Sequence, residues 1–324
     1  MKAWQTESMD QSKYLKIRLN SIHPSAPVPF DIFVSINDRL IHYLRSGDQI
    51  TAEKIQNFEK KAPDNFFIYH SEKSNYKQYI HRQMDSEQIN SHEKAVILRE
   101  SSLALVEELY ESPDVSKALA ESKDIIHSFI SFMDEDPEAM GHLIGLSSHD
   151  FYTYNHSLDV GIYSLGLGHV CGYSGDDLKE LGEGALFHDI GKRHVSVDII
   201  CKDGPLDDVE WAQMQRHPEY GLMILEKEGA SEGVKACCFE HHESFAGNGY
   251  PQQLEGDEIH PMARIVAITD TYDALTTKRT YNEPMAPTQA LEFMNQKLRG
   301  RYDDDLMKAM YSILFKMNEV SRSA

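Results

Sequence analysis

His188-Asp189-Ile190-Gly191-Lys192, the doublet His241-His242-Glu243, the run Gly247-Asn248-Gly249-Tyr250-Pro251 and Thr269-Asp270-Thr271-Tyr272-Asp273 fall within one stretch, His188 to Tyr281, and decide how this chain is read. Imidazoles and carboxylates crowd here into sequence that otherwise forms helix. Nitrogen and oxygen donors without sulfur suit borderline and hard divalent ions. The four cysteines, Cys171, Cys201 and the adjacent Cys237-Cys238, belong to none of these motifs and form no C-x-x-C pair. They read as free thiols of a reducing compartment.

Just upstream, Leu178 to Ile190 is small and apolar enough for a core helix that carries His188 and Asp189 inward. Neighbours on a helix point about 100° apart, so such a pair serves one ion only at a focus approached from two sides. Buried charge is costly without compensation, and a metal supplies it. Before that, Asp150 to Tyr173 reads as another helix, with Phe151, Tyr154, Leu158, Ile162, Leu165 and Val170 spaced for burial and His156 among them. Gly175-Asp176-Asp177 separates the two.

Further out the pattern changes. Tyr14 to Leu19 alternates as a half-buried strand does, and Phe30 to Ile36, Leu40 to Leu44 and Phe66 to Tyr69 read as three more, with turns at Asn37-Asp38 and Gly47-Asp48. Thr51 is placed to cap a helix carrying Ile55 and Phe58. Residues 1–80 are thus a small mixed α/β module, either a regulatory input or a packing and dimerisation platform. Residues 81–136 are a helical connector with an apolar face including Val96, Leu98, Leu103 and Val106, interrupted at Pro113, after which Ser116 or Ser122 starts the next helix. Residues 137–324 read as helix nearly throughout. The fold class is α+β: a mixed module followed by an all-α bundle.

Bulk properties narrow the function. The 324 residues suffice for two cores, and 41% hydrophobic content is that of a globular chain. A formal net charge of −20 argues against a sequence-independent hold on DNA or RNA. A phosphate-bearing ligand must therefore be drawn in locally, by metal ions and a few cations. The first residues lack the apolar run of a secretory signal, and no segment approaches the roughly 18 to 20 apolar residues of a membrane span. The expected location is the cytoplasm, away from the membrane.

His156, His188-Asp189 and Asp270 resemble the H…HD…D pattern of metal-dependent HD-domain phosphohydrolases. With His217, His241-His242, Gly249-Tyr250-Pro251 and the run from Asp270 to Arg279, the chain is similar to the HD-GYP subfamily, whose characterised members hydrolyse the bacterial second messenger cyclic di-GMP. The resemblance spans residues 150–315 and implies a helical bundle around a metal centre. It assigns His156, His188, Asp189 and Asp270 to one divalent ion and His217, His241 and His242 to a second, with the Asp189 carboxylate bridging. Iron is expected; manganese and zinc stay open, since these ligands suit all three. Two such ions polarise a phosphoryl oxygen and supply hydroxide near neutral pH.

Asp189 and Lys192 are thus the catalytic candidates. Lys192, one turn after His188, is expected to neutralise a nonbridging phosphate oxygen. The substrate contacts implied are Lys192, Gly249, Tyr250, Pro251 and Arg279. Gly249 and Pro251 build a tight loop, Tyr250 either packs that loop or stacks on a base, and the planar fork of Arg279 suits phosphate or guanine. The chain departs from the family at Ser244, Phe245 and Ala246, where a basic residue, Trp and Asp are common, and at Thr280 and Asn282, where Pro and a basic residue are. Tyr152 stands where some members carry a Glu that helps hold a third ion, so two ions are expected. The implied activity is hydrolysis of a phosphodiester in cyclic di-GMP or a related cyclic dinucleotide. The alternatives are an inactive metal-containing cyclic dinucleotide sensor or scaffold, and an HD nucleotidase. Diguanylate cyclase (GGDEF) proteins are the protein partners considered, and pairing with a second copy is left open.

Overall fold

The computed structural model describes residues 7–8, 13–37, 39–59, 66–146, 153–202, 204–278 and 283–320. They form two compact units, Met1–Glu108 and Leu109–Ala324.

The first unit is built on an antiparallel sheet of β1 (Glu7–Ser8), β2 (Tyr14–Ile17), β3 (Ile32–Ile36), β4 (Arg39–Leu44) and β5 (Phe66–Tyr69), ordered β1-β4-β3-β5-β2. Side chains alternate between faces along a strand. Leu15 and Ile17, Ile32 and Val34, and Phe66 and Ile68 therefore share one buried face, while Tyr14, Phe33, Leu40 and Phe67 make a smaller cluster. The β3–β4 connection is tight because Asn37 takes a φ of 51°, a left-handed conformation that Asn tolerates. Helix α1 (Ala52–Glu59) begins after Thr51, whose Oγ1 accepts from Lys54 N at 3.4 Å. Helix α2 (Lys73–Met84) adds Tyr76, Tyr79 and Ile80 to the larger cluster, and α3 (Ser91–Glu111) runs across the boundary between the units.

The second unit is helical: α4 (Val115–Glu135), α5 (Ala139–Gly145), α6 (Thr153–Val170), α7 (Gly175–Phe187), α8 (Val197–Ile200), α9 (Asp208–Met214), α10 (His217–Lys227), α11 (Glu232–Glu240), α12 (Pro261–Thr276), α13 (Pro287–Lys297) and α14 (Asp304–Val320). Helices α6, α7, α10, α11 and α12 pack on one another and carry the chemistry-bearing residues. Two local readings need correction. Helix α4 starts at neither Ser116 nor Ser122: Asp114 caps it by accepting from Lys117 N at 3.0 Å, and Ser122 sits mid-helix with its hydroxyl on Leu119 O. Helix α7 ends at Phe187, before the motif it was expected to carry. Among the described residues no helix is long and apolar enough to cross a membrane.

Candidate metal centre

The end of α7 is what lets His188 and Asp189 act together. His188 keeps helical angles as the C-cap, but Asp189 leaves them at φ −101°, ψ 9°, and Ile190–His194 continues as a 3-10 turn. The adjacent side chains therefore need not diverge as they would inside a helix, and both reach the same cluster of imidazoles and carboxylates. The turn is fixed by a close backbone approach. A Cβ on Gly191 would lie 1.9 Å from the carbonyl oxygen of His217, so only glycine lets this turn seat against the start of α10. That contact sets Asp189 beside His217. His241 is the C-cap of α11, His242 follows it, Asp270 lies in α12, and His156 comes across from α6.

These side chains converge. His156 Nε2 is 3.2 Å from Asp270 Oδ1 and 3.6 Å from Asp189 Oδ2, and His188 Nε2 is 3.4 Å from the same Asp189 oxygen. The other Asp189 oxygen, Oδ1, lies 3.3 Å from His217 Nε2 and 3.9 Å from His241 Nε2. The His242 ring is 4.1 Å from that of His241 and 5.0 Å from that of His217. Two ligand groups result, His156-His188-Asp270 and His217-His241-His242, with Asp189 presenting one oxygen to each side.

The donor chemistry fits a cation. His217 Nδ1 donates to Met214 O and His241 Nδ1 to the carbonyls of Cys237 and Cys238. Burial drives His217 down to about 4 and, with His188 and His217 beside it, His241 down to about 3. Both rings are thus neutral near pH 7 with lone pairs on Nε2, and those two nitrogens face each other at 3.3 Å. Two lone pairs at that distance repel unless a cation lies between them. Buried His188 Nε2, Asp189 Oδ1 and His242 Nδ1 likewise have no hydrogen-bond partner, whereas buried polar atoms are nearly always paired. Burial opposes ionisation of Asp189, yet Lys192, His188 and His217 hold its carboxyl well below the usual range. Asp270 is also held low against burial, by His156 and neighbouring histidines. For His156, burial lowers proton affinity, but Asp270 and Asp273 outweigh it and raise the ring to about 9. The same carboxylates attract a divalent cation, which would have to displace the proton they favour on the ring.

Lys192 pairs with Asp189 Oδ2 through the 3-10 turn rather than from a continuing helix. The loop after His242 is tied down by buried Glu243, whose carboxylate accepts from Gln252 N at 2.6 Å and Leu254 N at 3.1 Å. Gly249 again allows backbone contact, since a Cβ there would lie 2.3 Å from Ser244 N. The Tyr250 ring therefore lies 4.7 Å from His242 at an interplanar angle of 30°, and burial, with Asp270 and Asp189 nearby, pushes its phenol up. Pro251 follows through a cis peptide bond. Ser244 is buried, Phe245 N donates to Arg301 O, and Ala246 bridges to Glu255, so the departures from the family pattern are absorbed in the loop's own packing. Arg279, Thr280, Asn282 and Tyr152 lie outside the described residues.

Two residues given no separate role in the sequence reading matter here. Asp273 is fully buried and its Oδ2 lies 2.7 Å from His156 Nδ1, the position that orients a ligating imidazole. Its place three residues after Asp270, on the same helical face, was the available signal. Glu243 was quoted with the doublet, but nothing in the sequence shows that it reaches forward to the loop.

An HD domain family model matches residues 146–306. A cyclic di-GMP phosphodiesterase of Pseudomonas aeruginosa is 31% identical over 218 residues, 66% of this chain and 52% of that protein. A 3′3′-cGAMP-specific phosphodiesterase of Vibrio cholerae is 36% identical over 163 residues, 50% of this chain and 35% of that protein. This chain thus spans about half, or less, of the length of these curated relatives. Among solved structures, an HDG"Y"P protein from Bdellovibrio bacteriovorus superposes with a TM-score of 0.74 at 22% identity, covering 93% of this chain and 99% of that one, a likeness of fold.

Proposed function

Residues 146–306 belong to the HD domain family in its HD-GYP form, and on that premise we propose that this chain hydrolyses a phosphodiester bond in a cyclic dinucleotide, cyclic di-GMP or 3′3′-cGAMP, with two divalent ions held by its histidines and carboxylates. The observation that carries this reading is the Asp189 carboxylate, with one oxygen toward His156 and His188 and the other toward His217 and His241. His156, His188 and Asp270 would hold one ion, and His217, His241 and His242 the other. Iron is the assignment we favour for a donor set of imidazole and carboxylate. Such a pair supplies a nucleophile from water near neutral pH and charge for the phosphoryl oxygens.

The chain's own residues do the rest. Neutral His217 and His241 keep lone pairs available. Asp273 holds the His156 ring in place. Lys192, already beside Asp189, places an ammonium where a nonbridging phosphate oxygen gains most from it. Glu243 and Gly249 hold the loop so that Tyr250 covers His242, excluding water from that side. Arg279 is kept as a substrate contact on the strength of the family pattern.

Incubation of iron- or manganese-loaded protein with each cyclic dinucleotide, followed by separation of products, tests the reading. Linear dinucleotide or mononucleotide is expected. Binding without any cleaved product would instead support the sensor alternative, which the altered Ser244-Phe245-Ala246 segment favours.

A further inference from the structure

Outside the ligand cluster, one aromatic side chain among the described residues stands largely clear of the core. Trp211 lies on α9, a helix with no buried residue, and is 47% exposed. A tryptophan usually repays its size by burial, so the helix does not use this one as an anchor. Helix α9 is instead fastened at its start by polar groups: Asp207 accepts from Val209 N and Glu210 N, and Lys202 pairs with Glu210. Those contacts hold the indole at a defined place. Its ring centroid is 6.3 Å from that of Tyr250, at an interplanar angle of 80°. Tyr250 in turn lies against His242, whose ring is among His217 and His241. Three rings thus lead from the ligand cluster outward to a half-exposed indole.

We propose that Trp211 is a substrate-binding residue: when a phosphodiester lies at the His217-His241-His242 side of the cluster, a nucleobase of the same molecule stacks on Trp211. This rests on the reading that the cluster takes a cyclic dinucleotide. A base lying flat on Trp211 stands nearly perpendicular to Tyr250. Stacking of this kind accepts any base, because every base has a π-face. The other exposed large hydrophobic side chain of the helix, Val209, is offset by about 200° of helical rotation and does not extend the indole into a broad apolar face. A small flat ligand therefore fits the feature better than a protein surface does.

The test uses full-length, manganese-loaded protein with Trp211→Ala and Trp211→Phe. For the Ala variant, KM for cyclic di-GMP should rise roughly 5- to 100-fold, the range of a lost base–aromatic stack, with kcat and metal content little changed. The Phe variant should recover most of the loss. In Trp4→Phe protein, Trp211 is the sole tryptophan, and a hydrolysis-resistant phosphorothioate analogue of cyclic di-GMP should quench its fluorescence. Hydrolysis by wild type with unchanged KM in Trp211→Ala and no quenching overturns the role of Trp211 and leaves the substrate reading standing. Quenching without hydrolysis supports Trp211 and removes only the hydrolase. Neither hydrolysis nor quenching, with cyclic di-GMP or 3′3′-cGAMP, removes both.

Discussion

The two units fill their interiors by different means. In the sheet unit the most deeply buried side chains include Ile17, Phe30, Ile32, Phe66 and Ile68, and a polar group among them such as Tyr76 finds its partner in Ser21 at 2.7 Å. In the helical unit the centre is crossed by His156, His188, Asp189, His217 and His241, and two buried atoms of that set, His188 Nε2 and Asp189 Oδ1, have no hydrogen-bond partner. Burying apolar surface contributes about 25 cal/mol per Å² with nothing added. Burying imidazoles and carboxylates costs free energy until a counter-charge arrives. The difference teaches that the interior of the sheet unit is mainly apolar, whereas the helical unit gathers imidazoles and carboxylates that a bound cation would compensate. Anything that binds the folded form alone raises stability in step with its concentration. Metal should therefore stabilise the helical unit and leave the sheet unit as it is.

The largest expected effect follows from removing the group shared by both ligand sets. Asp189→Ala should strip or greatly weaken both ions and cut turnover at least about a hundredfold, the scale of losing one major electrostatic group. Amide hydrogen exchange should rise along α6, α10 and α12 and stay unchanged along β3 and β5. Metal analysis and segment-resolved exchange check this; full metal content in the variant would break the comparison. The reverse change is aimed at the sheet unit. Phe66→Ala removes a fully buried ring of the sheet unit and should cost about 3–5 kcal/mol, read as earlier loss of the strands in denaturant. The metal bound per helical unit should not change, and a fall in it would show that the two interiors are not independent.

How much of this was legible in the sequence differs along the same division. The strands were readable because alternation at Ile32 and Val34, or Phe66 and Ile68, directly reflects which face is buried. The candidate ligands stood out because His and Asp of this kind recur at family spacings, and the structure brings His156, His188, Asp189, His217, His241, His242 and Asp270 together. The end of α7 was not readable. Neither Gly nor Pro marks it, and the helical pattern runs on through Ile190; the stop is set by the contact of Gly191 with the His217 carbonyl, a tertiary event. Asp114 was not singled out as a cap, although Asp is among the residues favoured at that position. Asp273 offered only its spacing from Asp270 as a signal and Trp211 offered none, since a buried carboxylate and a half-exposed indole gain meaning only from the rings they meet.

Asp273 provides the finest division of the comparison, because it should separate the two ligand groups from each other. Its Oδ2 lies 2.7 Å from His156 Nδ1, and its Oδ1 accepts from the Thr277 hydroxyl at 3.2 Å, so the carboxylate is held from one side and holds the imidazole on the other. With Nδ1 donating to Asp273, Nε2 is the nitrogen that faces Asp270 and Asp189, and its lone pair becomes available when an ion displaces the second proton that these carboxylates favour. Asp273→Asn keeps the shape but removes the charge. If its amide nitrogen turns toward Nδ1, the proton of the ring moves to Nε2 and the lone pair is lost to the ion. Loss of such an orienting partner typically weakens metal binding 10- to 100-fold, and only His156 is oriented this way by Asp273. Competition with a chelator should therefore release metal from the His156-His188-Asp270 side first, leaving protein with about half its metal, while His217, His241 and His242 keep theirs. Simultaneous release from both sides would mean that the Asp189 bridge couples the two groups too tightly for them to be separate sites, and the division drawn through that carboxylate would have to be given up.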